Sequence, residues 1–140
     1  MSSAQVKPEI SSSNKYYISK HRYYELLHFC RQYTEWKEER ENIAAQLYPS
    51  SSTNTNVIKS IDTEYVERQA IRLAELDTKI EMIEDSIRAA DETLYPYLLK
   101  GITEGYAFPY LQEIMDMPCG KDMYYDRYRK FYWILDKCRK

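Results

Sequence analysis

Apolar residues recur every seven positions between Asp62 and Ala90, and this repeat limits the fold more than any other feature of the sequence. Two interleaved registers carry it: Val66, Leu73, Ile80 and Ile87, and Leu76, Ile83 and Ala90. Gln69 interrupts the second register. Such spacing is typical of a long helix that packs along one stripe against another helix. We therefore predict a helix that Asp62 caps and that ends at about Ala90.

A second amphipathic segment precedes this helix and offers it a partner. We predict a first helix from Ser19, as its cap, to about Leu47, with an apolar stripe that Arg40 interrupts. The stripe consists of Leu26, Phe29, Cys30, Tyr33, Trp36, Ile43, Ala44 and Leu47. The two helices form either an antiparallel hairpin within one chain or the basis of a homodimer through the 62–90 helix. The seam alone is compatible with both arrangements.

Turn-forming residues divide the rest of the chain. Residues 1–14 are polar and Ser-rich and predict a disordered tail, and residues 48–61 predict a mobile loop within a helical hairpin of residues 15–90. Residues 91–140 predict a separate domain of three helices: one from Asp91 to Gly105, one from about Phe108 to Met115 and one from about Lys121 to Lys137. The expected fold class is all-α, a long antiparallel hairpin followed by a three-helix unit with a helix-turn-helix.

Charge is distributed unevenly along the chain, although its net value is only −2. Residues 62–92 hold ten acidic and four basic side chains, a net charge of −6. Residues 119–140 hold seven basic and three acidic side chains, a net charge of +4. A localised positive end of this kind is the electrostatic pattern expected for phosphate binding.

The last predicted helix combines an apolar face with a basic one. Its expected buried face consists of Tyr124, Tyr128, Phe131, Ile134, Leu135 and Cys138. In a helix-turn-helix, early residues of the second helix contact the edges of the DNA bases, and flanking basic side chains contact phosphates. The candidate DNA-binding residues are Lys121, Asp122, Tyr125, Arg127, Arg129, Lys130 and Lys137. Asp122 and Asp126 oppose this interpretation, and a purely structural helical cap is the alternative.

Other classes of site find little support in the sequence. Cys30, Cys119 and Cys138 lack metal-ligand or disulfide spacing, and His21 and His28 have no companion ligands nearby. There is no Gly-rich phosphate loop and no nucleophile with a poised base, so we expect neither an enzyme nor a cofactor or metal. No run approaches the roughly 20 apolar residues of a membrane helix. We expect a soluble, cytoplasmic protein without membrane contact.

Four segments of the chain resemble phage-encoded transcriptional regulators of the RinA and ArpU kind. These segments are Asp62–Ala70, Ile80–Glu84, Leu94–Gly105 and Cys119–Leu135, and the layout is similar from about Tyr16 to Lys140. Proteins of that family are small activators of late phage or autolysin genes, with a C-terminal half similar to the fourth region of a sigma factor. At Gly120 and Asp122 the sequence departs from the family pattern, which has a capping residue with a hydroxyl and a basic residue.

The resemblance implies a sequence-specific DNA-binding transcriptional regulator in a bacterial cell, phage or prophage encoded. Its partners would be double-stranded DNA and RNA polymerase. The alternative is a protein-interaction module, a coiled-coil adaptor or inhibitor of a host protein that does not bind DNA. The acidic 62–92 segment and the high tyrosine content, fifteen residues, are compatible with that alternative.

Overall fold

A computed structural model of the protein describes residues 12–48 and 62–139, and these residues form helices without any β-strand. In chain order the helices are α1 (Lys20–Cys30), α2 (Tyr33–Leu47), α3 (Thr63–Ala90), α4 (Tyr95–Glu104), α5 (Phe108–Glu113) and α6 (Lys121–Cys138). The predicted all-α class is confirmed. The predicted loop at 48–61 and the predicted tail at 1–14 fall almost entirely outside the described residues.

The chain divides into two compact units. The first contains the described residues up to Tyr33 together with those from Met82 onward, and the second is Thr34–Glu81. The first unit therefore joins α1 and the last turns of α3 to the segment 91–140, for which a domain of its own is predicted.

The predicted single helix from Ser19 to Leu47 is wrong at its centre, where α1 ends at Cys30 and α2 begins at Tyr33. The Arg31 N–H still donates to the Leu27 carbonyl, but Gln32 N–H reaches back only to Phe29, in a tighter turn. The Arg31 side chain donates to the Ile102 carbonyl at 3.1 Å. Arg31 thereby satisfies a carbonyl near the C-terminal end of α4, which fixes the break through a contact distant in sequence.

α3 has the predicted bounds, because it begins directly after Asp62 and ends at Ala90. Its apolar seam is not buried uniformly along its length. The buried positions are Leu76, Ile80, Ile83, Ile87 and Ala90. Val66 and Leu73, in the first half of the helix, are only half-buried.

Within the second unit, polar contacts join α2 and α3. Arg72 donates to both carboxylate oxygens of Glu39, at 2.7 and 2.9 Å. Arg40, which interrupts the apolar stripe in the sequence, pairs with Asp77 at 3.1 Å. Further along, the Tyr65 hydroxyl donates to Gln46 at 2.8 Å. These pairs form beside a small apolar core of Trp36, Ile43, Leu76 and Ile80.

The first unit has a core of large aromatic side chains packed around α4 and α6. Gly101 lies buried in α4, and a Cβ atom at this position would overlap the Tyr124 hydroxyl oxygen. The hydroxyls of Tyr23 and Tyr128 form a buried hydrogen bond of 2.9 Å. α4 ends as predicted at Gly105, whose φ of 78° lies in the left-handed region that glycine tolerates best.

Candidate nucleic-acid interface

α6 is an 18-residue helix that packs against α1 and α4 through one face. The buried residues are Tyr124, Tyr128, Phe131, Tyr132 and Leu135. The prediction of a buried Cys138 is wrong, since Cys138 is exposed, and Ile134 is only half-buried. Tyr132 takes part in the core instead, because its ring meets Tyr23 of α1 edge-on at 4.9 Å.

The opposite face of α6 carries most of the predicted DNA-binding residues. Lys121, Asp122 and Lys137 are exposed, while Tyr125, Arg129 and Lys130 are half-buried. Lys121 and Lys130 form no ion pair with any described residue. Their ammonium groups are therefore available to an external anion.

Arg127 differs from the other candidates because its charge is already engaged. Its Nε donates to Asp91 at 2.9 Å, and a terminal nitrogen meets Asp126 at 2.5 Å. The Asp91 side chain is only 12% exposed and also accepts the Leu94 N–H at 3.0 Å. The two carboxylates raise the pKa of the Arg127 guanidinium, with the Asp91 hydrogen bond as the largest cause. Arg127 thus ties α6 to the α3–α4 connection.

The acidic residues that oppose phosphate binding are mostly neutralised within the fold. Asp126 is paired with Arg127, and Asp136 is bound by Arg22 of α1 at 2.6 Å. Asp122 lies in the first turn of α6, where a negative charge interacts favourably with the helix dipole. Arg127, Asp126 and Asp136 are therefore paired within the fold, whereas the lysines of α6 form no ion pair with a described residue.

Arg129 and Tyr125 lie one turn apart on the flank of this face. The Arg129 Nε atom is shielded from solvent and has no hydrogen-bond partner among the described residues. Tyr125 packs between aromatic rings, with centroids 5.1 Å from Tyr124 and 5.9 Å from Tyr128. Burial raises the pKa of the Tyr125 hydroxyl above the usual value for tyrosine.

The helix that precedes the turn differs from the prediction. α5 ends at Glu113 rather than Met115, and Asp116 adopts a positive φ of 61°. The chain turns back there, and the Met117 N–H donates to the Leu111 carbonyl at 3.1 Å. Leu111 and Met117 are consequently buried, whereas the Ile114 side chain is 66% exposed.

The connection between α5 and α6 is longer than in a compact helix-turn-helix. Seven residues, 114–120, separate Glu113 from Lys121, whereas a turn of about three or four residues is usual. Gly120 occupies the N-cap position of α6 with extended backbone and supplies no side-chain hydrogen bond to the first turn. The start of α6 is thus uncapped by side chains.

Other kinds of site are not apparent in the described part of the chain. Residues 12–48 and 62–139 contain no group of His, Cys, Asp and Glu arranged to hold a metal ion. Among the same residues, no helix combines the length and apolar character needed to cross a bilayer. A cavity of about 20 Å³ beside Arg31, Tyr106 and Tyr125 has room for a single water molecule.

The sequence interpretation missed residues that reach α6 from the N-terminal side. Tyr16 packs on Trp133 of α6 with a centroid distance of 5.6 Å, and Lys137 lies over the same Trp133 ring at 3.8 Å. Only the Lys-Tyr-Tyr sequence at 15–17 could have indicated an ordered basic-aromatic segment. Comparison with known proteins gave no match to a protein-family model, a curated protein or a solved structure.

Proposed function

We propose that this protein is a sequence-specific DNA-binding transcriptional regulator of phage type, with α6 as its recognition helix. The observation that carries the proposal is the charge arrangement of α6: Asp126 and Asp136 are neutralised by arginines, while Lys121 and Lys130 stay unpaired. Lys130 and Lys137, seven residues apart, therefore place unpaired positive charge on the outer face, and Lys121 adds another at the exposed start of the helix. Localised positive charge on a helix face favours contact with DNA phosphates.

The dimensions of α6 also suit a major groove. Its 18 residues extend over roughly 27 Å, and a groove about 12 Å wide accepts one α-helix. The C-terminal half is anchored by Arg22, which bonds both Asp136 and the main-chain carbonyl of Arg139. The N-terminal half carries the exposed Lys121 and Asp122 and is the part proposed to meet base edges.

Individual roles follow from the environment of each side chain. With its Nε covered, Arg129 has its two terminal nitrogens left for an outside acceptor, and these can bond guanine O6 and N7 together. Lys121 and Lys130 are proposed phosphate contacts, and Tyr125 packs against the groove edge. Asp122 is proposed to accept from cytosine N4. Arg127 is assigned an intramolecular role and is left out of the interface.

The proposal can be tested in two steps. A preferred duplex is first selected from a library with a randomised centre, and its binding is then titrated between about 50 and 200 mM salt. We expect a defined preferred sequence and a steep loss of affinity with salt. Arg129→Ala should weaken binding by about 10- to 100-fold on the selected duplex and relax the preference at one position. Lys121→Ala should weaken binding equally on all sequences and lower the salt slope by about one.

Two variants control for charge and for folding. Arg129→Lys keeps the positive charge but loses bidentate geometry, so it should retain binding to unrelated DNA and lose the preference. Lys100→Ala removes a lysine of α4 that is paired with Glu104 at 2.9 Å, and it should leave binding unchanged. Absence of any complex at about 50 mM salt, where phosphate contacts are strongest, would refute DNA binding.

The second candidate is a protein-interaction module, which exposed apolar residues favour. Tyr110 and Ile114 in the first unit, and Ile71 in the second, are 43%, 66% and 61% exposed. An activator that contacts RNA polymerase, or a homodimer formed through α3, would use such residues as well.

Ile71→Asp tests the α3 surface, because Ile71 is exposed. Ile80 is unsuitable, because it is fully buried and its replacement would unfold the protein. Loss of a dimeric mass in light scattering, with DNA binding retained at high protein concentration, would support a dimer through α3.

A further inference from the structure

An N-terminal segment of the described chain lies against the outer side of α6. The Asn14 side chain accepts the Tyr16 N–H at 2.8 Å, and the Asn14 carbonyl accepts the Tyr17 N–H at 3.0 Å. These bonds form a tight turn before Ile18, which is buried. The turn directs Tyr16 onto Trp133, and the two rings meet edge to face at an angle of 61°.

This aromatic pair carries a lysine on each ring. Lys15 Nζ lies 5.1 Å from the Tyr16 centroid, and Lys137 Nζ lies 3.8 Å from the Trp133 centroid. Both lysines are exposed, and neither forms an ion pair with a described carboxylate. The nearest acid on α6, Asp136, is held by Arg22 instead. Contact with a ring face restricts a long lysine side chain, which lowers the entropy lost when it binds an anion.

We infer that Lys15 and Lys137, seated on the Tyr16–Trp133 pair, form a clamp that binds the phosphate backbone of duplex DNA. This inference rests on the proposed function and assigns the two halves of α6 different tasks. Lys137 lies eight residues after Arg129, which is about 12 Å along the helix axis and comparable to the width of the major groove. When Arg129 meets bases within the groove, Lys137 is therefore at the distance of the bordering phosphates.

The clamp has no means of distinguishing base pairs, because phosphate contacts carry no sequence information directly. Its contribution should appear as salt-dependent affinity that is the same for the selected duplex and for an unrelated duplex of equal length. Arg129 should behave in the opposite way and affect mainly the difference between the two duplexes.

Titrations of duplexes of about 20 base pairs, longer than the roughly 27 Å of α6, test the clamp. Lys15→Ala and Lys137→Ala should each lower the slope of log K against log salt by about one, and the double variant by about two. Lys100→Ala is the matched control and should leave the slope unchanged. In a Tyr16→Ala background, Lys15→Ala should have no further effect, because the platform that positions Lys15 is gone.

A spectroscopic measurement locates the contact independently of affinity. In a Trp36→Phe variant, Trp133 is the single tryptophan of the chain. Its emission should change when the unrelated duplex is added, and the change should be reduced in the Lys15→Ala Lys137→Ala form. Far-UV circular dichroism establishes that each variant keeps its helical content.

The outcomes separate the clamp from the function on which it rests. If the unaltered protein binds neither duplex, the proposed function is refuted and the clamp with it. If it binds, and the lysine variants keep the slope of the Lys100→Ala control, the clamp alone is refuted. A loss confined to the selected duplex would also overturn it, since that result would assign base reading to Lys15 or Lys137.

Discussion

The two compact units of this protein are held together by different physical forces. The first buries large rings, among them Phe131 and Tyr132, and its Tyr124 packs against Gly101, which leaves no room for a methyl group. The second has a small core of Trp36 and aliphatic side chains, and beside it lie the ion pairs Arg72–Glu39 and Arg40–Asp77, whose side chains are all at least 30% exposed. Close-packed rings tolerate little change of shape or ionisation, whereas exposed ion pairs contribute modestly and are weakened by salt. The stability of the first unit should thus depend on buried groups, and that of the second more on exposed ion pairs.

A change of pH should produce the largest difference between the units. Burial raises the pKa of Tyr23 to about 12, and it also raises the pKa values of Tyr124, Tyr128 and Tyr132. In the unfolded chain tyrosine ionises near pH 10, so this stabilisation is complete below pH 10 and is lost as the pH rises. Each buried tyrosine should cost up to about 1.4 kcal/mol per pH unit above 10. The loss is measured as the free energy of unfolding in urea at pH 9 to 11. The emission maximum of Trp133 in a Trp36→Phe variant follows the unfolding.

Acid should act on the second unit instead. The Arg72 hydrogen bond lowers the pKa of Glu39, so its stabilisation is present above the unfolded value near 4.3 and is lost as the pH falls. Because both side chains are partly exposed, the effect should stay below about 1 kcal/mol. Trp36 emission in a Trp133→Phe variant reports this unit. Identical pH dependence of the two tryptophans would contradict the contrast between the units.

Gly101→Ala should destabilise the first unit through a steric clash in its core. The added methyl group would overlap the Tyr124 hydroxyl, and overpacking of this kind costs about 1–3 kcal/mol even though Ala normally favours a helix. Removal of the hydroxyl in Gly101→Ala Tyr124→Phe should restore most of the loss, as the remaining ring carbon lies at 3.5 Å. Urea denaturation followed by circular dichroism provides the free energies of unfolding. A double variant no more stable than Gly101→Ala would show that the clash is elsewhere.

Two arginine substitutions compare a covered ion pair with an exposed one. Arg127→Ala leaves Asp91, only 12% exposed, without its cation and should destabilise the protein by about 1–3 kcal/mol. Arg72→Ala should cost less than about 1 kcal/mol, and the cost should shrink in high salt. Chemical denaturation with urea, which adds no ions, measures both. Equal costs for the two variants would remove the distinction between the units.

Gly120→Ser should have the smallest effect, and in the stabilising direction. A Cβ at this position meets no atom within 4 Å, and the backbone φ of −86° suits any residue. A serine hydroxyl can cap the first turn of α6 and restricts the unfolded chain, which should add a few tenths to about 1 kcal/mol. Thermal unfolding measures the gain in stability. Gly120→Ala restricts the unfolded chain but cannot cap the helix, so it separates the two contributions.

The elements that sequence predicted well are those specified by local patterns. The heptad seam placed α3 from Asp62 to Ala90, and Gly105 ended α4, because periodicity and glycine conformation act within a few residues. The all-helical class follows from the same local signals. The basic side of α6 could also be predicted from the sequence, since the positions of lysines around a helix depend only on their spacing.

The features that sequence missed depend on contacts between distant residues. No Gly or Pro marks the break at Arg31 and Gln32, which is stabilised by the Ile102 carbonyl 71 residues away. Arg127 lies among the candidate DNA contacts in sequence, and only the fold brings Asp91 to it. Likewise, nothing local indicates that Gly101 is required by Tyr124 rather than by a turn. Contacts between residues so far apart leave no local pattern in the sequence from which they could be predicted.

The discontinuity of the first unit has a consequence for synthesis on the ribosome. α1 is made early, yet the residues that cover it, in α4 and α6, emerge only after the whole of the inserted second unit. The Arg22–Asp136 pair joins residues 114 positions apart, so it cannot form until nearly all of the described chain has been translated. The nascent chain must therefore carry the apolar face of α1 uncovered until α4 and α6 have been translated, a period in which chaperones have access to it.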